Sequence, residues 1–481
     1  MQNKTKALIA GLALLLPSLH VSAHETVNDV TQLNPVTVDR ILTPTSLGEI
    51  VDAVKTTHGP ISIGGARHSQ GGQISEEHSL HLDMRHFNRV VALDPGNKTI
   101  TVQSGITWRE IQDVIDPYNL SVKIMQTYSN FTVGGSLSVN CHGRYVGAGP
   151  IILSVLRIQV VLPDGRVVEA SPEQNRDLFY GVIGGYGALG VITEATLRLV
   201  DNTKVERSDK VMPISRYKDY FLKEIRLSPT AVFHNGDIYP PDFQTVRAVT
   251  WSETDKPVTI KERLIGRHED YTFHQKMIGI VSQFPFGKQL REYLLEPLLY
   301  IDRPVAWRNH EASYDASELE TPSRARSTQV LQEYFVPVER FDDFYPKMIQ
   351  VLKEANVNVI NISIRHALPD PGSLLAWAKR EMFAFVLYYE QGTTREDREA
   401  VGNWTRKLIS AALSVDGSYY LPYQVHATDD QFREAYPRFG EFFALKKRLD
   451  PENKFRNKLW DTYYGPAQMN NPGTISDEKA R

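Results

Sequence analysis

Two periodicities organise the apolar positions of the chain. Leu47, Ile50, Val51 and Val54 recur at i, i+3, i+4 and i+7, which places them on one face of a helix. Ser46-Leu47-Gly48-Glu49 supplies its capping box and Gly59-Pro60 its stop. Ile111, Val114 and Ile115 mark a second short helix, opened by the capping box Thr107-Trp108-Arg109-Glu110 and ended before Pro117. Strand alternation occupies the stretches between. Val36, Val38 and Ile41 form a short extended run, and Ile61 and Ile63 another. Hairpins turn at Asp94-Pro95-Gly96-Asn97 and at Pro163-Asp164-Gly165, and Val191 to Leu199 alternates with period two. Hairpins mixed with helices in this way predict an α+β fold rather than a regularly alternating parallel sheet.

A polar stretch from Asp201 to about Asp209 reads as a boundary. Beyond it Tyr and Phe become dense and the glycine clusters stop. Helices are expected over Phe341 to Ala355 and Arg395 to Ala412, followed by strands over Val357 to Ile364 and Tyr419 to Val425. The polar residues after Trp460 predict a loose tail over 463–481.

The 481 residues are 41% apolar and 23% charged, close to the globular average, so a disordered or fibrous chain is excluded. A net charge of −3 with no basic cluster gives no footprint for nucleic acid and no polybasic membrane patch. Lys4 and Lys6 precede the uncharged apolar run Ala7 to Val21, and Val21-Ser22-Ala23 offers a cleavage site. Residues 1–23 are therefore expected to be a secretory signal rather than a stable membrane anchor, which predicts a periplasmic or secreted protein. Cys141 is the single cysteine, so no intrachain disulfide forms even in an oxidising compartment.

Three glycine clusters carry the candidate chemistry: Gly64 to Gly72, Gly134-Gly135-Ser136, and Gly184 to Gly190. The third contains Gly185-x-Gly187-x-x-Gly190, but a strand pattern rather than a helix follows, and about 20 positions on stands Lys210 instead of an acid. A nicotinamide fold is thereby excluded. The first cluster follows a strand and offers a run of backbone N–H groups able to wrap a pyrophosphate. His78, His81 and His86 lack the carboxylate partner that would make a metal site, and no metal is expected.

Pro60 to Gly72, Thr132 to Ser138 with His142-Gly143, Gly184 to Ile192, and Leu449 to Asn457 follow one another in an order that resembles the vanillyl-alcohol oxidase (PCMH) type of FAD enzymes, over about Asn34 to Trp460. The resemblance implies a two-part FAD-binding domain over 34–201 and an α+β cap with a mixed or antiparallel sheet over 210–415. It also implies a segment over 416–462 that returns to the flavin. FAD contacts are then implied at Gly64, Gly65, Ala66, Arg67, His68, Ser69, Gln73, Gly134, Gly135, Ser136, Ser138, Cys141, His142, Gly143, Gly190, Val191, Ile192 and Asn457. His68 stands where family members often attach the flavin covalently.

The second half resembles the alditol and aldonolactone oxidase branch, which carries an acid, one spacer and an arginine on a cap strand. Here Ser363 replaces the acid and Arg365 is kept. Where the branch has a Pro-His-Trp-Gly-Lys segment, this chain has Pro422-Tyr423-Gln424-Val425-His426, which puts His426 at the lysine position. The expected catalytic set is Arg365 and His426, with Ser363 and Tyr423 as further contacts. A histidine takes a hydroxyl proton near neutral pH, and an arginine holds the oxygen. The implied activity is oxidation of a C–OH group in a small hydroxylated substrate such as a polyol, sugar or sugar lactone, with O2 or another electron acceptor. A flavin dehydrogenase or ene reductase, and a non-catalytic carbohydrate- or flavin-binding protein, are the alternatives.

Overall fold

A computed structural model describes residues 25–267, 287–319 and 324–469. The signal read over residues 1–23 and the end of the tail from 470 onward lie outside the described residues. The first half is built from three sheets. Strands β1 (Glu25–Val27) and β2 (Val36–Val38) pair ahead of the small parallel sheet β3 (Arg40–Leu42), β5 (Leu80–Asp83) and β4 (Ile61–Gly64), in the order β3-β5-β4. Helix α1 (Leu47–Thr56) packs on that sheet through Ile50, Ala53 and Val54, and both halves of its capping box at Ser46 and Glu49 are formed. Its apolar face meets Ile61, Leu80, Leu82 and Phe455.

An antiparallel sheet follows in the order β10-β9-β11-β7-β6, with β8 (Leu120–Val122) on the end of β11. Its strands are β6 (Val90–Asp94), β7 (Thr99–Gln103), β9 (Val155–Val161), β10 (Val167–Ala170) and β11 (Val191–Asp201). Helices α2 (Trp108–Ile115), α3 (Val133–Ser138) and α4 (Arg176–Val182) lie along this half.

The cap is one eight-stranded antiparallel sheet in the order β15-β12-β14-β13-β17-β18-β16-β19. Its strands are β12 (Lys204–Pro213), β13 (Ala231–Ile238), β14 (Thr245–Glu253), β15 (Val305–Trp307), β16 (Ser327–Pro337), β17 (Asn358–Ala367), β18 (Met382–Gly392) and β19 (Ser418–Tyr419). Helices α5 (Phe341–Glu354) and α6 (Arg395–Leu413) cover one face. Alternation decides which residues they meet. Phe385 touches Phe341 and Phe344 of α5, and Tyr389 meets Trp404 of α6 at 5.0 Å between ring centroids. The intervening residues Val386 and Tyr388 therefore face the other way, toward the first domain. Three short helices finish the chain: α7 (Asp429–Ala435), α8 (Phe439–Leu449) and α9 (Lys458–Met469). No described helix is long and apolar enough to cross a membrane.

Several expectations need correction. The boundary expected over Asp201 to Asp209 lies at the start of that stretch, where β11 ends at Asp201 and the cap sheet takes over. Strand β12 begins at Lys204, near the sheet edge, and its partly solvated face gives it the polar look. The cap thus starts before 210, and the first domain takes in β1, ahead of 34. Tyr419 to Val425 is a strand only over Ser418–Tyr419. Pro422 has no N–H to give a ladder, and the carbonyls there bond to the glycine loop instead: Gln70 N–H donates to Pro422 O at 2.7 Å, and the Gln73 amide donates to Leu421 O and Tyr423 O at 2.6 and 2.8 Å. The tail is not loose at its start. Tyr463 and Tyr464 are buried in α9, with Tyr463 stacked on Phe432 at 4.2 Å, a contact that outweighs the breakers Gly465 and Pro466.

Candidate active site

A cavity of about 900 Å³ separates the glycine loop from the cap sheet. Gly65, Ala66, Arg67, His68 and Ser69 form one wall, directly after β4. A Cβ at Gly65 would stand 2.1 Å from Thr132 Oγ1, and one at Gly71 2.2 Å from Tyr423 O, so the loop can lie here only as glycine. The His68 ring stacks on Phe131 at 4.1 Å and 25°. Burial pushes its pKa down to about 4, against the pull of Asp315, so the imidazole is neutral at pH 7.

The second wall comes from the start of α3 and the turn after it: Gly135, Ser136, Cys141 and His142. Ser136 Oγ donates to Thr132 O at 2.8 Å and lies 2.8 Å from Gln126 Oε1. Burial pushes the Cys141 thiol up, so it stays protonated, a small apolar neighbour rather than a nucleophile.

The third wall is the cap sheet. On β17, Asn361, Ser363 and Arg365 all line the cavity, while His366 faces away and meets Glu381 at 2.7 Å. Tyr423 lines it from the C-terminal segment. The sequence did not single out Glu333, on β16, which lines the same space. Its Oε2 lies 2.6 Å from His142 Nε2, and Tyr423 Oη donates to its other oxygen. Burial alone would raise the Glu333 carboxyl, but His142, Arg365 and Tyr423 together hold it below the usual carboxylate range.

His426 does not reach this cavity. The chain turns after Tyr423, and the imidazole lies against α6, where a Cβ on Gly402 would stand 3.2 Å from its Nδ1. Burial and Arg406 push its pKa down to about 4. The resemblance puts His426 at the lysine position, but the strand ends at Tyr419 and of this segment Pro422 and Tyr423 line the cavity while His426 does not. Gly64, Gln73, Gly134, Ser138, Gly143, Gly190, Val191, Ile192 and Asn457 also stand off the cavity lining. Gly64, Gly134, Gly143 and Gly190 are close-approach points behind the walls. Val191 and Ile192 are buried at the start of β11. Ser138 O accepts from Tyr186 N–H at 2.9 Å, and the Asn457 amide donates to Tyr186 O at 2.8 Å. They shape the walls without forming them, because a polar residue near a glycine loop reads the same whether it faces the ligand or the backbone.

A second opening of about 430 Å³ shares Ala66, His68 and Thr132 with the first and adds Arg85, Gly105, Thr107, Glu110 and Asn130. The capping box at Thr107 and Glu110 gave only a helix signal, so this extension was not legible in the sequence. Among the described residues lining the main cavity, Thr127 Oγ1, Gln329 Oε1, Asn361 Oδ1 and Arg365 Nε are buried with no protein partner. A glycine wall, an apolar floor and orphaned polar atoms fit a large, flat, partly polar ligand such as FAD. Among the described residues, no cluster of His, Cys, Asp or Glu side chains could hold a metal ion.

Comparison with known proteins points the same way. Residues 38–171 match the family model described as an FAD binding domain, and residues 245–463 match that described as D-arabinono-1,4-lactone oxidase. L-gulonolactone oxidase of Mus musculus is 22% identical over 439 residues, spanning 88% of this chain and 94% of that protein. Alditol oxidase of a Streptomyces species is 25% identical over 374 residues, 76% of this chain and 81% of that protein. L-galactono-1,4-lactone dehydrogenase 1 of Oryza sativa is 30% identical over 181 residues, 36% of this chain and 31% of that protein. With FAD as its cofactor, the chain belongs to the PCMH-type FAD-dependent oxidoreductases, in their alditol and aldonolactone oxidase branch.

Proposed function

We propose that the protein is an exported oxidase that converts a C–OH group of a polyol, sugar or sugar lactone to a carbonyl, with O2 as electron acceptor. The observation that carries the reading is the polar strip on β17. Asn361, Ser363 and Arg365 stand two residues apart on the face turned to the cavity, with Asn361 Oδ1 and Arg365 Nε left without protein partners. Successive members are about 6.6–6.8 Å apart along a strand. That spacing suits a substrate bearing several hydroxyls better than one bearing a single polar group. Bound FAD supplies the acceptor for a hydride from the substrate carbon. Arg365 holds the hydroxyl oxygen and neutralises charge that develops on it, having no proton of its own to lose near neutral pH. Ser363 and Asn361 orient the neighbouring hydroxyls. The neutral imidazole of His68, held on Phe131, is the covalent anchor of the flavin. The cationic start and apolar run before Ala23 motivate export, and N-terminal sequencing of the mature protein should begin at His24.

The test is anaerobic mixing of the yellow holoprotein with xylitol, sorbitol, gulono-lactone and galactono-lactone. At least one should bleach the flavin band, and admission of air should restore it with release of peroxide. A flavin that none of them bleaches refutes the substrate class. Bleaching without peroxide refutes the oxidase assignment.

A further inference from the structure

The cap sheet carries a cross-strand row at the cavity: Ser363 of β17 pairs with Val386 of β18, and Val386 pairs with Glu333 of β16. Directly paired residues share a sheet face, so Glu333 projects on the same side as Ser363, two strands and about 10 Å away along the sheet. We infer that Glu333 takes the hydroxyl proton of the substrate and that His142 is the positioning residue that fixes it, an inference that rests on the cavity being an alcohol-oxidising site.

Several other ionisable groups on the cavity are already committed. Arg365 has no proton to exchange. Tyr423 spends its hydroxyl on Glu333, and burial with that carboxylate beside it raises its pKa far out of range. Glu311 is taken by Arg144 at 2.8 Å and Glu296 by Arg291 at 2.8 Å. His142 has both nitrogens engaged, Nδ1 on Gly143 O at 3.2 Å and Nε2 on Glu333 at 2.6 Å. Its ring is held between Trp377, Phe335 and Tyr420 at centroid distances of 4.9, 5.6 and 6.0 Å, which leaves no room to swing toward a substrate.

Glu333 differs from all of these. Each of its oxygens has one protein partner and two lone-pair sites, so each can accept one more hydrogen bond. In the step, the substrate C–H bond breaks with its electron pair leaving as the hydride to bound FAD, and the O–H bond breaks with its pair staying on oxygen. The C=O bond forms, and the proton ends on a Glu333 oxygen. The groups that face Glu333 are His142, Arg365, Tyr423, Tyr420, Tyr186 and Cys141. Of these His142 and Arg365 act to lower the Glu333 carboxyl, which keeps it a carboxylate ready to accept.

The experiment is single-turnover flavin reduction across pH, with the polyol or lactone that bleaches the wild type. Glu333→Gln should keep the flavin spectrum and lose about 10²–10⁴-fold in reduction rate. Ser363→Glu in the Glu333→Gln background, which restores a carboxylate to the same row, should recover part of that loss. His142→Gln and Tyr423→Phe each remove a group that holds Glu333 down, so the acid limb of the rate should move to higher pH in both. In [5-13C]glutamate-labelled protein, the resonance lost in Glu333→Gln should titrate at higher pH in His142→Gln, a readout independent of turnover. Reduction of Glu333→Gln at the wild-type rate overturns the inference and leaves the substrate reading standing. An unmoved acid limb and an unmoved carboxyl midpoint in His142→Gln overturn the positioning role. A wild type that no polyol or lactone bleaches overturns the substrate reading, and the inference with it.

Discussion

Lys446 on α8 is fully buried, and its ammonium donates to Asp450 Oδ2 at 2.9 Å, Ala188 O at 3.0 Å and Phe455 O at 2.9 Å. Asp450 in turn accepts from the backbone N–H groups of Lys454 at 2.8 Å and Phe455 at 2.9 Å. One cation thereby ties α8 to the 184–190 turn and to the segment that runs beside β4, where Ile61 N–H donates to Lys454 O at 2.7 Å. Lys446→Met removes the charge and leaves Asp450 buried without a counter-ion, which typically costs 3–5 kcal/mol. Two carbonyls lose their donor as well, at about 1 kcal/mol or more each, while the new apolar side chain returns about 1–2 kcal/mol. The net expectation is a loss of about 3–6 kcal/mol. Asp450→Asn in the same background removes the stranded charge, so the double variant should be more stable than the sum of the two single losses. Denaturant unfolding followed by tryptophan fluorescence reads this directly, because Trp460 stacks on Phe442 at 4.8 Å and donates to Gly185 O at 3.2 Å within the same junction. A Lys446→Met protein within about 0.5 kcal/mol of wild type, the range of an ordinary surface change, would refute the reasoning.

Arg365→Ala should retain a bound, yellow flavin and lose about 10²–10³-fold in flavin reduction, the scale of one missing transition-state donor. Arg365→Lys should not recover the full rate, because the planar fork is gone; full recovery in a stopped-flow trace would count against the role. His426→Ala should reduce its flavin near the wild-type rate, since the imidazole stands against α6 and off the cavity. A large loss there with the flavin spectrum intact would restore His426 to the site. His68→Ala should abolish the fluorescent flavin band that acid-denatured wild-type protein is expected to show on a gel. Complete release of flavin from the wild type in acid would refute the covalent bond.

What could be read from the sequence is what depends on near neighbours. The capping boxes at Ser46 and Thr107 are local hydrogen-bond patterns, and both form where expected. The alternation of Asn361, Ser363 and Arg365 puts them on one face whatever the strand pairs with. The glycine loop at 64–72 was legible because close approach leaves few alternatives to glycine. Glu333 was not legible for the opposite reason. Between Gln332 and Tyr334 it looks like any polar residue of a half-solvated strand, and its meaning comes from the register of β16 on β18 and of β18 on β17. His142 was visible, but the partner that gives it a role lies 191 residues away. Gln73 and Asn457 stand at positions where the resemblance implies flavin contacts, yet their amides are spent on backbone carbonyls of distant segments.

The replacement of the family's acid by Ser363 falls on the cap face, and the physics of the two walls accounts for that. The flavin wall is made of close backbone approaches, such as Gly65 on Thr132 and Gly71 on Tyr423 O, where any added atom collides. The cap wall is a rigid antiparallel sheet, and positions in one cross-strand row present side chains to the same cavity from neighbouring strands. A carboxylate can therefore be supplied from β16 rather than from the Ser363 position on β17 without moving a backbone atom. What must accompany it is a new partner for the buried charge, since an uncompensated carboxylate there would take up a proton. His142 on one oxygen, Tyr423 on the other and Arg365 across the row supply that compensation. For this reason the identity of the proton acceptor follows from the sheet register rather than from the spacing of a motif along the chain.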